Sequence, residues 1–136
     1  MPRTFFDTNI LVYAEDASEP VKQKKAIQLF EDHRRSRTGV VSLQVLQEYF
    51  VTVTRKQKLD PQVARRKVEL LSQFDVAEPG LNDILAAIDL HRLHGLSYWD
   101  ALVVQMAKRS ACRIILSEVM QPGSAIEGVA VVNPFS

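Results

Sequence analysis

Residues 3–14 read RTFFDTNILVYA, and the position on which the fold turns is Asp7. An ionisable side chain stands between Phe5-Phe6 and the apolar run Ile10-Leu11-Val12-Tyr13. Burying an unpaired carboxylate is costly, so a charge in such company shifts its pKa or finds a partner. Asp7 is either a local cap or turn residue, or one part of a charged site assembled from elsewhere in the chain. The segment 3–7 itself reads as a short buried strand that ends on this aspartate.

Working outward, PVKQKKAIQLFEDHRR (20–35) has Pro20 at a helix start and places Val21, Ala26, Ile27, Leu29 and Phe30 near helical spacing. TGVVS (38–42) is a β-branched run after a turn glycine, which predicts a second strand. The next segment, 43–58, sets Val45, Leu46, Tyr49, Phe50 and Val53 on one helical stripe. Asp60 and Pro61 are the N-cap and first residue of a further helix. DVAEP (75–79) reads as a third strand, 81–95 as a helix stopped by Gly95, and 97–111 as a last helix. CRIILS (112–117) and VAVVNPF (129–135) complete the set as strands. Short apolar runs alternating with helical patterns predict an α/β fold with a parallel sheet. Ligands of such folds bind outside the carboxyl ends of the strands. Asp7, Ser42 and Ser117-Glu118 end or follow the first, second and fourth strands, so one sheet edge would gather them.

A chain of 136 residues, 46% apolar and 24% charged, fits one globular domain over 1–136. The only cysteine, Cys112, excludes an internal disulfide and suits a reducing compartment. MPRTFF has no signal-peptide pattern, and no apolar run approaches the ~18–20 residues of a membrane span. The expectation is a cytoplasmic protein with no membrane partner. The net charge of +1 conceals an asymmetry: residues 22–67 hold 12 Lys/Arg against 4 Asp/Glu, a balance of +8. The basic clusters Lys22-Lys24-Lys25, Arg55-Lys56-Lys58 and Arg65-Arg66-Lys67 suit solvated helix faces or a phosphate backbone. His91 and His94 lack a third nitrogen or sulfur ligand and read as a surface pair.

Two more acids stand out. Glu48 interrupts VLQEYF between Leu46 and Tyr49-Phe50, and Asp100 closes Ser97-Tyr98-Trp99-Asp100, a capping-box pattern at a helix start. The helix dipole would keep Asp100 ionised, and an ionised carboxylate can also bind a cation. Converging acids repel: two carboxylates 4 Å apart cost about 4 kcal/mol at an effective dielectric of 20. A divalent cation reverses that sign, and an all-oxygen set favours Mg²⁺ or Mn²⁺. Trp99, beside Asp100, suits either stacking on a base or packing against the sheet.

FFDTNILVYA, VVSLQVLQEYF, LSYWDALVVQMA and IILSEVMQPG, in this order, resemble the motif blocks of the PIN domain family, VapC-type toxins of bacterial toxin–antitoxin pairs above all. The resemblance runs from about residue 4 to 134. It implies a three-layer α/β/α fold around a central parallel sheet of four to five short strands. It also implies a Mg²⁺- or Mn²⁺-dependent endoribonuclease, a cognate antitoxin partner and a homodimer. Asp7, Glu48 and Asp100 match the first three family acids and the implied metal ligands, and Asn9 matches the asparagine of the D-T-N block. Ser42 and Ser117 match small hydroxyl positions, expected to bind water or phosphate oxygens. A metal-activated water would cut RNA to leave a 5′-phosphate and a 3′-hydroxyl. The chain departs from the pattern at the fourth acid, where Val119 stands and Glu118 remains beside it. Either Glu118 reaches into the site, or three acids operate alone, or the chain is a degenerate module that binds RNA or a partner without cutting. A haloacid-dehalogenase-type phosphatase also starts with an Asp after a strand, but needs a second Asp where Asn9 stands.

Overall fold

All three residues of Thr4–Phe6 (β1) are buried, as befits a strand covered on both faces of a parallel sheet. The computed structural model describes residues 1–136. On one side β1 pairs in parallel with Gly39–Ser42 (β2), and on the other with Ile114–Leu116 (β4), so that Phe5 lies between Val40 and Ile115. Asp75–Ala77 (β3) extends the sheet beyond β2, and Val129–Val132 (β6) extends it beyond β4. Six helices connect and flank these strands: Thr8–Tyr13 (α1), Pro20–Ser36 (α2), Leu43–Arg55 (α3), Pro61–Leu71 (α4), Leu81–His94 (α5) and Tyr98–Arg109 (α6). The result is the expected three-layer α/β/α arrangement. A cluster of 30 buried apolar residues runs through it from Phe5 to Val131. No helix is long and apolar enough to cross a membrane.

The sheet has six strands, in the order β3-β2-β1-β4-β6-β5. The additional one, Ala125–Ile126 (β5), lies antiparallel on the edge of β6. Two residues leave no periodicity to read. Its hairpin turn carries Glu127 at φ 53° and Gly128 at φ 84°, the two positive values of a type I′ turn.

Two local expectations change. Gly39 lies inside β2 rather than in a turn: a Cβ there would collide with the Phe74 ring, which stacks on Phe30 and meets Phe6 edge-on. On α2, Val21 and Ile27 face solvent, while Ala26 and the polar His33 are buried. Leu29 and Phe30 still pack against the core, and His33 joins them, satisfied by Thr38 Oγ1 at 2.8 Å and edge-on to Phe6.

Candidate active site

From β1 the chain runs successively to β2 and β3 on one side, then crosses to β4 and β6 on the other. The order reverses between β1 and β4, which makes the crevice past their carboxyl ends the ligand position of the fold. Asp7 stands there. Its backbone N–H donates to Leu116 O (3.0 Å), tying it to the end of β4. Its Oδ1 accepts from Thr8 N (2.9 Å), capping α1. Its Oδ2 accepts from Ser117 Oγ (2.9 Å) and Asn9 Nδ2 (3.1 Å). Asp7 is therefore both a cap and part of an assembled site.

Asn9 fastens this corner. Its amide also donates to Ser117 Oγ at 3.2 Å, and its Oδ1 accepts from Glu118 N at 2.9 Å. The turn after β1 and the segment after β4 are thus joined by a side chain 108 residues away in sequence. A carboxylate has about four acceptor positions, and three donors occupy Asp7. The remaining one belongs to Oδ1. Asp7 is only 8% exposed, and burial pushes its pKa up against the Ser117 and Thr8 bonds, with the charges of Asp100 and Glu48 adding to the rise. No lysine, arginine or histidine forms an ion pair with it.

Asp100 lies in the first turn of α6, where Ser97 Oγ accepts from Asp100 N at 3.1 Å. Burial, opposed by Ser97 and aided by the Glu48 charge, raises the Asp100 pKa as well. Glu48 projects from α3 at an exposed position, and its Oε1 accepts from Thr8 Oγ1 at 2.7 Å. All three acids line one open cavity of about 880 Å³, together with Glu118 and Val119. No three His, Cys, Asp or Glu side chains stand close enough to hold a metal ion by themselves. The donor set, all oxygen with one free position on a fixed aspartate, fits a hard cation that keeps much of its water, as Mg²⁺ does. It does not form a closed cage.

Glu118 is occupied elsewhere. Oε1 accepts from Tyr13 Oη and Oε2 from Lys22 Nζ, each at 2.6 Å, and these partners hold its carboxyl below the usual range. The two serines also differ from expectation. Ser117 is fully buried, with its hydroxyl spent on Asp7 and on the N–H groups of Val119 and Met120. Ser42 is buried as the N-cap of α3, accepting from Val45 N. Neither meets the cavity, because each hydroxyl is consumed where a strand turns into the next segment.

The sequence reading missed Thr8, Asp16 and the amides Gln44, Gln47 and Gln57, all of which line the cavity. Thr8 had a signal in the D-T-N block. The Lys22–Glu118 pair, 96 residues apart, had none. Of the basic clusters, Lys56 lines the cavity, while Lys67 pairs with Glu15 and Arg65 with Glu69. His94 binds Glu127 and His91 binds Leu96 O, so the histidines serve the surface around the end of α5.

The sequence profile of the PIN domain matches residues 4–118. The chain belongs to the PIN domain family. No curated protein matches it. Among solved structures, this PIN domain superposes on the toxin–antitoxin complex from Klebsiella pneumoniae with a TM-score of 0.69 at 20% identity, over 96% of this chain and 97% of that one. DNA-bound VapBC from Salmonella typhimurium gives 0.72 at 13% identity, over 98% and 99%. The sarcin–ricin-loop-cleaving VapC toxin of Mycobacterium tuberculosis gives 0.68 at 17%, over 82% and 86%. At such identities the similarity is one of fold. It extends over 82–98% of this chain in the three cases.

Proposed function

We propose that this PIN domain is a Mg²⁺- or Mn²⁺-dependent endoribonuclease and the toxin of a toxin–antitoxin pair. The observation that carries the reading is Asp7, a buried carboxylate with no cationic partner, sharing one cavity with Glu48 and Asp100. Asp7, through the free position on Oδ1, and Asp100 would hold the divalent ion, with Glu48 reaching it directly or through water. When bound, such an ion supplies Lewis acidity at a phosphoryl oxygen and a lowered pKa for water. Asn9 and Ser117 keep Asp7 aimed, Thr8 restrains Glu48, and Lys56 at the cavity offers charge to a phosphate backbone. The substrate is RNA, cut by hydrolysis of its phosphodiester bonds in the cytoplasm.

An antitoxin partner and a homodimer belong to the same reading, supported by the similarity to a toxin–antitoxin complex and to VapBC. The test is incubation of the purified chain with an RNA pool, with and without Mn²⁺. The expected result is metal-dependent cleavage leaving 5′-phosphates, lost in Asp7→Ala while that variant stays folded. Undiminished cutting by Asp7→Ala sinks the assignment.

A second reading has its own observation. Val119 is 72% exposed at the cavity where the family pattern has an acid, and Glu118 is bound to Lys22 and Tyr13. A degenerate module that binds RNA or a protein without cutting would show neither saturable Mn²⁺ binding nor cleavage of any RNA.

A further inference from the structure

Trp99 is 60% exposed, an unusual placing for the largest apolar side chain of a small protein. It is not loose. The Tyr98 ring braces it edge-on at 5.0 Å between centroids, and Tyr98 in turn packs against the core. The indole lines the acidic cavity, next in sequence to Asp100 and in company with Val51 and Val103. The sequence left open whether Trp99 packs on the sheet or meets a ligand, and its exposure removes the first choice.

The same cavity contains a second unexplained feature. Gln57 Nε2 donates to Val12 O at 3.3 Å, which fixes the amide, yet its Oε1 is buried with no partner. Gln44 Oε1 is also buried and unpartnered. Both residues line the cavity, one at the start of α3 and one just past its end. Buried acceptors without donors cost free energy, but these two oxygens have no exposed surface, so no ligand meets them in this conformation. The exposed aromatic face and the Lys56 charge at one cavity form a set that a nucleotide satisfies: a π-face on which its base stacks and a cation for its phosphate.

We propose that Trp99 is a stacking platform for one unpaired base of the RNA, holding the neighbouring phosphodiester over the Asp7–Asp100 cavity. The inference rests on the ribonuclease reading and adds a positioning residue to it. A base locked in a duplex has both faces covered and cannot reach the indole, so the platform selects an unstacked nucleotide. An amphipathic protein segment is the competing occupant. The Lys56 charge at the cavity favours RNA, since an exposed apolar ring alone would suit either.

Trp99 is the only tryptophan of the chain, so its fluorescence reports this contact without a label. The experiment titrates wild-type protein, in EDTA to prevent cleavage, with a short single-stranded oligoadenylate and with an abasic ribose-phosphate chain of equal length. Binding is followed in parallel by anisotropy of a 3′ dye. Quenching by oligoadenylate and none by the abasic chain is expected. Trp99→Ala should weaken oligoadenylate binding about 5- to 150-fold, the span for loss of one stacked base, and raise KM more than it lowers kcat. Trp99→Phe should recover most of that loss. Binding seen by anisotropy without quenching, or unchanged affinity in Trp99→Ala, overturns the platform and leaves this face to a protein partner, with the ribonuclease reading intact. Absence of RNA binding together with absence of Mn²⁺-dependent cleavage defeats the ribonuclease reading, and the platform falls with it.

Discussion

The molecule buries two aspartates to the same degree and treats them in opposite ways. Asp7 is 8% exposed and Asp83, on α5, is 5% exposed, and each accepts from three donors. Asp83 takes Gly80 N at 2.8 Å, Gln105 Nε2 at 3.1 Å and the Arg109 guanidinium, and these partners hold its carboxyl below the usual range. At Asp7 burial outweighs its neutral donors, the two neighbouring acids add to the effect, and its pKa rises. Both side chains are shielded from solvent, but hydrogen bonds and the Arg109 charge outweigh that burial at Asp83, whereas burial prevails at Asp7 and the nearby charges are negative. Asp83 has its cation built into the chain and joins α5 to α6, whereas the site of Asp7 is electrostatically incomplete without something positive.

The largest effect should come from removing the incomplete member. Asp7→Ala is expected to lower metal-dependent RNA cleavage by about 10³-fold or more, the scale of several kcal/mol of transition-state stabilisation. Asp7→Asn should be equally inactive and at least as stable as wild type, because it removes a buried like charge. Asp83→Asn should do the reverse, leaving cleavage within a few-fold while costing about 1–3 kcal/mol of stability and several degrees of Tm. Thermal unfolding of the two variants side by side decides. Equal destabilisation by both would break the comparison.

The pH dependence sharpens it. A depressed pKa contributes stability above the unfolded value and loses it as pH falls, so Asp83 stabilises the fold at neutral pH and lets go in acid. A raised pKa has the opposite sign. Asp7 and Asp100 favour the fold when protonated, and that contribution is lost as pH climbs above the ordinary value of 3.8. Urea titrations between about pH 4 and pH 7 should show Asp7→Asn gaining on wild type as pH rises. Mn²⁺ should close the gap, raising the wild-type Tm more at pH 7 than at pH 5, since the ion competes with the same protons. A difference that stays flat with pH would mean that Asp7 is not perturbed.

These charges also mark how far the sequence could be read. Pro20, Pro61 with Asp60, and Gly95 sit at helix ends because their backbone preferences are local, and Gly95 takes the left-handed φ of 68°. The sheet was legible because β1, β2 and β4 are apolar runs with no polar alternation. Helix α1 was not, since six residues are too few to display a stripe, and the Asp7 cap and the packing of Ile10 and Leu11 sustain it. The position of Asp7 at a strand end was readable, but its wiring was not. Asn9, Ser117 and Glu118 come within hydrogen-bond distance only when the topology closes, and no spacing rule spans 108 residues. Likewise Ser42 and Ser117 are serines at equivalent strand ends, yet both turn inward: Ser42 accepts from Val45 N in the turn that follows, and Ser117 accepts from Val119 N and Met120 N while donating to Asp7.

The smallest expected effect concerns the fourth acidic position. Glu118 resembles Asp83 more than Asp7: a lysine and a tyrosine hydroxyl consume both of its oxygens, and its pKa falls. Swinging it toward the cavity would strip Lys22 of its counter-charge and leave that ammonium with the Tyr13 hydroxyl at 3.4 Å and the Tyr13 and Phe135 rings, 4.8 and 5.7 Å from their centroids. Glu118→Gln should therefore change cleavage by less than about tenfold, because its role is to brace the rim rather than to hold an ion, and Lys22→Met should match it. Val119→Asp, which adds a free carboxylate at the exposed rim position, should tighten Mn²⁺ binding a few-fold in calorimetry. If Glu118→Gln instead falls as far as Asp7→Ala, then Glu118 must leave Lys22 during turnover, and the contrast between a carboxylate with its own cation and one without would no longer sort the acids of this protein into structural and chemical.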